Sequence, residues 1–327
     1  MKIHEKYIKR CIEIGKNGLG STRPNPMVGC VIVHNNTIIG EGFTSPYGGN
    51  HAEVNAINSV KNKTLLKNAT LYVTLEPCSH YGKTPPCSDL IINYQIPDVV
   101  IGCMDDNEKV AGKGIKRLME AGCRVTVGIM ESECRIHHKR FFTFHNKKRP
   151  YLILKWAETK NGFMAPKIKF EQKPIWITNR LSRQLVHKWR AEEQAILIGA
   201  NTIFQDNPTL TVRNWSGQHP IRIVLDKNNA LSNTYHVFND HSETLVIREI
   251  SAKSICEKLY NHNINSVIIE GGTKTLQLFI DANLWDEARV FTGKISFENG
   301  VLAPRFYGNL ISEVRIDTDI LKIYRND

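Results

Sequence analysis

Four residues in the first half of the chain have the types and spacing of a hydrolytic zinc site. His51 and Glu53 lie two positions apart, and Cys78 and Cys87 follow with eight residues between them. Zinc binds imidazole and thiolate in tetrahedral geometry, and a catalytic site keeps one position for a water whose pKa the metal lowers. A carboxylate two residues after a histidine ligand suits proton transfer between that water and a leaving amine. The predicted metal ligands are His51, Cys78 and Cys87. We further predict a deaminase whose catalytic proton carrier is Glu53.

A structural zinc site is the alternative to a catalytic one, and it requires a fourth protein ligand. His80 lies two residues after Cys78 and has the chemistry for that role. Its position in a loop rich in Gly and Pro suits a substrate contact equally well. Taken singly, each candidate ligand has an ordinary structural explanation, such as a helix cap or a buried thiol. Their combined spacing favours the metal site.

The elements around these residues alternate between strand-like and helix-like patterns. A helix is predicted to begin near His51, and a buried strand over Thr70–Leu75 leads directly to Pro77 and Cys78. Further strands are predicted over Val28–Val33, Asp98–Cys103 and Arg124–Ile129, and further helices over Ile3–Ile14, Ser88–Tyr94 and Lys113–Ala121. This alternation predicts an α/β layer structure for the first half.

The second half repeats the alternation. Strands are predicted over Tyr151–Lys155, Pro174–Thr178, Ala195–Gly199, Ile221–Leu225, Thr244–Ile247 and Ser266–Glu270. No G-x-G-x-x-G motif follows a strand, so a Rossmann domain is not supported. Instead, Gly271 and Gly272 join a strand to a helix, which offers backbone N–H groups and a helix dipole to a phosphate. A plain strand-to-helix turn is the alternative.

The segment Phe141–Pro150 is basic and closes on a proline, which favours a domain boundary near residue 146. A chain of 327 residues exceeds what a single hydrophobic core usually organises. We therefore predict two domains, residues 1–146 with the zinc site and residues 147–327.

The composition is that of an ordinary globular protein, with 41% hydrophobic and 23% charged residues. No apolar run could span a bilayer and the start has no signal-peptide pattern, so we expect a soluble cytoplasmic protein without a membrane partner. The formal charge of +11 would suit nucleic acid, but Lys147-Lys148-Arg149 is the densest basic cluster, and phosphorylated small molecules also favour cations. Seven of the eight cysteines precede residue 135, which favours a metal site over disulfides.

The segment from Thr74 to Cys87, TLEPCSHYGKTPPC, resembles the signature of the bifunctional riboflavin biosynthesis deaminase–reductase family. Nucleic-acid and nucleoside deaminases of the same superfamily usually carry their cysteines as C-x-x-C, so the longer loop favours a different substrate. Residues 23–29, RPNPMVG, resemble the family's substrate-side loop, in which Asn25 is expected to hydrogen-bond the pyrimidine. A plain turn role for Asn25 is the alternative. The resemblance also implies substrate contacts for His80 and Lys83.

The second half resembles the dihydrofolate-reductase-like domain of the same family over nearly its whole length. The motifs that carry this resemblance are Lys155-Trp156-Ala157, Trp176-Ile177-Thr178, Gly199-Ala200-Asn201-Thr202, residues 205–208 and Glu270-Gly271-Gly272. The residues implied to contact NADPH are Ala157, Trp176, Thr202, Asp206, Lys227, Gly271, Gly272, Thr273, Lys274, Thr275, Leu276 and Gln277. The residues implied to contact substrate are Lys155, Pro174, Arg190, Leu210, Arg213 and Glu270. Guanidinium groups suit a phosphate, although solvated surface arginines are the alternative.

Three positions depart from the family pattern. Asn161 and Asn207 stand where the family has aspartates, and Pro174 stands where it has serine. Pro174 thereby lacks both a hydroxyl and a backbone donor. The retention of Asp206, Arg190, Arg213 and Glu270 nevertheless favours a working reductase.

The resemblance implies an N-terminal cytidine-deaminase-like three-layer α/β/α domain and a C-terminal dihydrofolate-reductase-like α/β domain. It implies deamination of 2,5-diamino-6-ribosylamino-4(3H)-pyrimidinone 5′-phosphate with one Zn²⁺ per chain, followed by NADPH-dependent reduction of the ribosyl group to ribityl. We expect a phosphorylated pyrimidine ligand, no nucleic-acid partner and a homo-oligomer. The alternatives are a tRNA or nucleoside deaminase with an accessory domain, and a deaminase with an inactive second domain.

Overall fold

The computed structural model describes residues 3–81, 85–106 and 111–326. The chain divides into two compact units, Met1–Lys147 and Lys148–Asp327. Within the described ranges, no helix is both long enough and apolar enough to cross a membrane.

The first unit is a five-stranded sheet with helices packed against it. Its helices are α1 (Ile3–Gly15), α2 (Ala52–Ser59), α3 (Cys87–Asn93), α4 (Lys113–Glu120), α5 (Glu131–His137) and α6 (Lys139–Lys147), and its strands are β1 (Gly29–His34), β2 (Thr37–Phe43), β3 (Thr70–Leu75), β4 (Asp98–Cys103) and β5 (Arg124–Val127). The strand order is β2-β1-β3-β4-β5. The strands β3, β4 and β5 run parallel, whereas β1 is antiparallel to both of its neighbours.

Apolar patterning explains how these elements form one core. The central strands β1, β3 and β4 are buried along nearly their whole length, as expected for strands covered on both faces. Helix α1 buries Tyr7, Ile8, Cys11 and Ile14, which share one face at helical spacing, while Ile3 is exposed. The helix and strand predictions for this half agree with the observed elements to within about two residues at each end.

The second unit is built on an eight-stranded sheet. Its helices are α7 (Arg180–Glu192), α8 (Ala200–Asp206), α9 (Ala252–Asn261) and α10 (Thr273–Asp281), and its strands are β6 (Tyr151–Glu158), β7 (Phe163–Pro166), β8 (Ala195–Gly199), β9 (Ile221–Leu225), β10 (Thr244–Ile247), β11 (Ser266–Ile269), β12 (Glu287–Thr292), β13 (Gly300–Leu302), β14 (Asn309–Ile316) and β15 (Asp319–Arg325). The strand order is β10-β9-β8-β11-β6-β12-β15-β14, and β7 pairs separately with β13.

The first six strands of that order are parallel, so their carboxyl ends meet at one edge of the sheet. Ligands of open α/β sheets bind at this edge. Lys155 lies near the end of β6, and Glu270 directly follows β11. Because β6 and β11 are neighbours, these two side chains come from adjacent positions of the same edge.

The α/β fold class predicted for both halves is confirmed, but one local prediction is wrong. Residues 174–178 form no strand, because Pro174 cannot donate to a ladder and Ile175 and Trp176 are exposed at the margin of a pocket. The segment Phe141–Pro150, for which the sequence pattern predicted no helix or strand, is largely helical, since α6 covers it as far as Lys147 and buries its phenylalanines. The strand β2 and the hairpin β14–β15 were not predicted from the sequence pattern.

Candidate functional site

Three side chains of the first unit converge on one point. His51 Nδ1 lies 3.5 Å from Cys78 Sγ and 3.3 Å from Cys87 Sγ. All three ligand atoms lie within 4.8 Å of one another. In a tetrahedral zinc site with bonds of about 2.1 and 2.3 Å, the ligand atoms lie roughly 3.6 Å apart. One imidazole and two thiols at these distances fit Zn²⁺, so the structure brings the three predicted ligands together.

The start of α2 and the connection between β3 and α3 supply these ligands. His51 occupies the N-cap position of α2 but makes no side-chain capping bond, and its imidazole contacts the thiols instead. The Cys87 N–H donates to Cys78 Sγ at 3.3 Å, and the Ser88 N–H donates to the Cys78 carbonyl at 3.1 Å. These two bonds fold the connection back on itself, which brings both thiols to the imidazole.

The hydrogen bond between the two thiols moves their pKa values apart. A hydrogen bond from Cys87, together with one from His51, lowers the pKa of Cys78 to about 4 despite its burial. The same Cys78–Cys87 bond and burial raise the pKa of Cys87 well above its ordinary value. The Cys78 bond also raises the pKa of His51. A thiolate already present at neutral pH is the form that binds a metal.

Glu53 lies in the first turn of α2, beside the ligand cluster, and only 4% of it is exposed. Burial raises the pKa of its carboxyl to about 7, and the negative charge of Cys78 acts in the same direction. A carboxyl with a pKa near neutrality can both accept and release a proton. This environment suits the proton-carrier role predicted for Glu53.

Asn25 and His80, two of the residues predicted to contact the pyrimidine, lie in loops of the first unit. Asn25 lies in the turn before β1, where its N–H donates to the Thr22 carbonyl at 2.9 Å and its own carbonyl accepts from Thr22 Oγ1. His80 is exposed and is not part of the ligand cluster formed by the described residues. Lys83 lies outside the described residues. The three-ligand cluster therefore favours the catalytic reading over a four-ligand structural site.

A cavity of about 430 Å³ lies in the second unit. It is lined by ten of the residues predicted to contact NADPH or substrate, namely Lys155, Ala157, Pro174, Trp176, Arg190, Thr202, Asp206, Leu210, Arg213 and Glu270. This size lies within the usual range for small-molecule pockets. Residues from all five motifs that carry the resemblance thus line one cavity.

A buried charge cluster forms one wall of this cavity. Arg190 donates from Nη2 to Glu270 Oε2 at 2.7 Å, and Lys155 Nζ lies 3.9 Å from the other carboxylate oxygen. Burial raises the pKa of Glu270, but Arg190 and Lys155 outweigh it and hold the value at about 2. Burial lowers the pKa of Lys155. The pairing keeps Glu270 ionised although its carboxylate is buried.

The glycine turn predicted to bind NADPH borders the same cavity. Gly272 precedes α10, and its N–H donates to Oγ1 of the cavity residue Thr202 at 3.1 Å. Leu276 is fully buried in the core, so its side chain is not available to a cofactor. Gln277 is held by the Arg305 carbonyl at 3.1 Å. Lys227 is exposed in a turn after β9 and does not line the cavity.

Gly271, Thr273, Lys274 and Thr275 lie in the same segment at the beginning of α10. Thr273 Oγ1 donates to the Leu302 carbonyl at 2.6 Å, which links the helix start to β13. A helix start at the cavity margin, together with cationic side chains inside it, fits a phosphate-bearing cofactor.

Two of the three residues that depart from the family pattern, Asn161 and Asn207, make hydrogen bonds within the second unit. Asn161 donates to the Phe297 carbonyl at 2.7 Å. Asn207 adopts a left-handed conformation with φ of 39°, and its Oδ1 accepts from the His236 N–H at 2.8 Å. Asparagine tolerates this conformation better than most residues. Pro174 lines the cavity, where only its ring and carbonyl are available.

The cavity is also lined by residues that were not predicted to contact NADPH or substrate, namely Met164, Thr178, Arg183, His187 and His236. Arg183, His187 and Arg190 lie on α7 at positions that share one helix face. Their spacing of four and three residues in the sequence could have indicated that the three side chains lie on one surface of a helix. His187 is buried, and its Nδ1 accepts from the Arg213 N–H at 3.2 Å.

Comparisons with known proteins agree with both sites. Residues 1–103 match the family described as the cytidine and deoxycytidylate deaminase zinc-binding region, and residues 150–295 match the RibD C-terminal domain. The riboflavin biosynthesis protein RibD of Aquifex aeolicus is 35% identical over 95% of this chain and 90% of that protein. The chain belongs to the RibD family.

Solved structures support the same RibD assignment. A diaminohydroxyphosphoribosylaminopyrimidine deaminase/5-amino-6-(5-phosphoribosylamino)uracil reductase from Thermotoga maritima is similar with a TM-score of 0.91 and 36% identity, covering 99% of this chain and 98% of that one. RibD of Acinetobacter baumannii gives a TM-score of 0.90 and 31% identity, with the same coverage. RibD of Escherichia coli is 35% identical over 93% of this chain and 89% of that protein.

As a RibD protein, the chain is a bifunctional deaminase and reductase of riboflavin biosynthesis, which confirms the function predicted from sequence. The predictions of zinc and NADPH as cofactors are confirmed as well. These matches favour neither of the two alternatives. The first was a nucleic-acid or nucleoside deaminase, and the second was a deaminase with an inactive second domain.

Proposed function

We propose that residues 1–146 deaminate 2,5-diamino-6-ribosylamino-4(3H)-pyrimidinone 5′-phosphate and that residues 147–327 reduce the resulting 5-amino-6-(5-phosphoribosylamino)uracil. The observation that carries the first step is the approach of His51 Nδ1 to within 3.5 Å of both thiols, next to the buried Glu53. The Thermotoga maritima relative is named for these two activities.

In the deamination, the ligand residues and Glu53 have separate tasks. Zinc bound by His51, Cys78 and Cys87 supplies a Lewis acid that brings the pKa of a water to about 7. Glu53 accepts a proton from the attacking water and returns it to the departing amine, so the products are the uracil and ammonia. Burial of Glu53 keeps this proton from bulk solvent. Asn25, His80 and Lys83 orient the pyrimidine.

In the reduction, the charged wall of the second cavity receives the ribose phosphate. Ala157, Trp176, Thr202, Asp206 and the backbone of the segment 271–277 would hold NADPH. The cofactor would supply a hydride to the sugar C1′, while the C1′–O4′ bond breaks and O4′ takes up a proton. Arg213 and Arg190 bind the phosphate, while Lys155 and Glu270 orient the sugar hydroxyls. Because Arg190 and Lys155 already pair with Glu270, the wall is ordered before substrate enters.

One assay tests both steps. Purified protein loaded with zinc receives the diaminopyrimidine phosphate with or without NADPH, while ammonia release and NADPH oxidation are followed. We expect ammonia in both cases and NADPH oxidation only after ammonia has formed. Ammonia without NADPH oxidation would refute the reductase step, and no ammonia with zinc present would refute the deaminase step.

We also propose that the chain forms a homo-oligomer through the edge strand β14. This strand ends the eight-stranded sheet, and it exposes Leu310, Ile311 and Val314. Exposed apolar edge strands tend to pair with another copy. Light scattering after gel filtration tests this, because Ile311→Lys should lower the measured mass to that of a single chain. A wild-type mass equal to one chain would refute the proposal.

A further inference from the structure

Glu76 is a buried carboxylate two residues before the metal ligand Cys78, and only 4% of it is exposed. It accepts four hydrogen bonds from backbone N–H groups, two of them between β4 and α4 and two in the first turn of α4. The donors to Oε2 are Asp105 at 3.3 Å and Gly112 at 3.0 Å, and the donors to Oε1 are Gly114 at 2.9 Å and Ile115 at 3.3 Å. The carboxylate therefore caps α4 and holds the segment that leads into it.

Helix α4 also lies against the segments that carry both thiol ligands. A Cβ atom added to Gly114 would lie 2.0 Å from the Pro77 carbonyl oxygen, so the helix start touches the residue directly before Cys78. Further along, Arg117 Nε lies 2.5 Å from Asp89 Oδ1 on α3, the helix that begins with Cys87. Helix α4 therefore contacts both segments that carry the thiols: Pro77, directly before Cys78, and α3, which begins with Cys87.

We infer that Glu76 is a positioning residue for the zinc site, acting through α4 on Cys78 and Cys87. Two backbone contacts limit where Cys78 can move: the Glu76 N–H donates to the Cys103 carbonyl at 3.0 Å, and Pro77 packs on Gly114. With α4 anchored, both thiols are held at the imidazole before metal arrives. This inference rests on the metal site proposed above.

The four-donor arrangement requires a carboxylate. Its two oxygens can accept from four N–H groups, whereas a glutamine offers one oxygen and turns its NH₂ toward two of the same donors. Glu76→Gln therefore leaves buried N–H groups without acceptors, which costs free energy at the helix start. We expect α4 to shift, which would spread the two thiols apart.

The test measures zinc affinity of the full chain by competition with a chromophoric chelator, without substrate. We expect Glu76→Gln to bind zinc about 10–100-fold more weakly, the usual effect of removing a residue that orients metal ligands. The matched control is Glu120→Gln at the exposed end of α4, where Glu120 Oε1 lies 3.8 Å from Lys116 Nζ, away from Glu76 and the thiols. It should bind zinc as the wild type does.

If Glu76 has a purely structural role, the test gives a different result. Glu76→Gln would then lower the unfolding temperature of the metal-free protein but leave the zinc affinity of the folded protein unchanged, and this outcome would overturn the inference. If Glu76→Gln does not fold, Glu76→Asp takes its place, because it keeps the charge but is shorter by one methylene. Weaker zinc binding is expected there too, and wild-type affinity would overturn the inference. A chain that binds zinc normally but releases no ammonia would refute the proposed deamination and not this role.

Discussion

Arg190 Nη2 donates to Glu270 Oε2 at 2.7 Å, and both side chains are nearly buried in the wall of the second cavity. The charge of Arg190 is therefore balanced inside the protein. Within the described part of the chain, Arg213 forms no ion pair with an acidic side chain, and its Nη1 donates to Thr209 Oγ1 at 2.5 Å. The two arginines thus differ in their partners: Arg190 pairs with a carboxylate, whereas Arg213 is more available to an anionic phosphate.

Replacing Glu270 should abolish the reduction and spare the deamination. Glu270→Gln leaves Arg190 and Lys155 buried without their counter-charge, so the cavity wall loses its order. We expect NADPH oxidation with the aminouracil phosphate to fall by about 10²–10³-fold, while ammonia release is unchanged. Glu249→Gln is the matched control, because Glu249 pairs with Lys258 and the Arg248 N–H and does not line the cavity. Reduction at the wild-type rate in Glu270→Gln would contradict the assigned role.

Glu53→Gln should separate metal binding from catalysis. The three ligand residues remain, so the variant should still contain one zinc per chain by elemental analysis. Ammonia release should fall by about 10²–10⁴-fold, the usual contribution of a positioned acid or base. Glu133→Gln, an exposed residue of α5, serves as the control and should retain full activity. Normal turnover by Glu53→Gln would show that another group carries the proton.

Cys87→Ser should lose the metal, because a serine hydroxyl replaces a thiolate ligand. We expect zinc content near zero after dialysis and ammonia release near background. The control is Cys123→Ser, whose thiol donates to the Ile96 carbonyl at 3.4 Å and lies outside the cluster. That variant should keep its zinc. Full zinc content in Cys87→Ser would mean that a different residue completes the site.

Mild acid should destabilise the first unit through His137. Burial lowers the pKa of His137 from 6.5 to about 4, although the bond to the Met27 carbonyl opposes this. The unfolded chain then takes up a proton first, so the stabilisation is present above about pH 6.5 and is lost as the pH falls toward 4. Between pH 7 and pH 5 the free energy of unfolding should drop by about 2 kcal/mol from this residue.

Urea unfolding at the two pH values checks this, with His137→Gln as the variant. The glutamine amide can still donate to the Met27 carbonyl but does not titrate, so the drop should shrink by about 2 kcal/mol. His262→Gln, an exposed residue of the second unit, should leave the drop unchanged. An equal drop in wild type and His137→Gln would rule out His137 as its source.

The metal site was predictable because its ligands are defined by residue type and local spacing. His51 and Glu53 share one helix turn, and Cys78 follows a strand whose apolar run is plain in the sequence. The role of Glu76 was not predictable, because its donors lie some 29 to 39 residues further along the chain. Contacts of that kind appear only when β3, β4 and α4 are assembled.

The residues that line the second cavity were harder to predict from the sequence. Residues 174–178 alternate in a way that suits a strand, yet they line the cavity as an irregular segment. Arg183 carried no motif, and only the position of α7 beside the sheet brings Arg183 and His187 to the cavity. The sequence pattern predicted the parallel core strands well, because a short continuous apolar run is typical of a strand that is buried on both faces.

The ligand set has a mechanical consequence, since His51 and Cys78 are 27 residues apart and belong to different elements. An ion bound to both closes that length of chain into a ring, much as a disulfide does. The ring encloses α2 and the whole of β3. Loss of the ion would therefore remove this cross-link between the start of α2 and the segment after β3, as well as stop the chemistry.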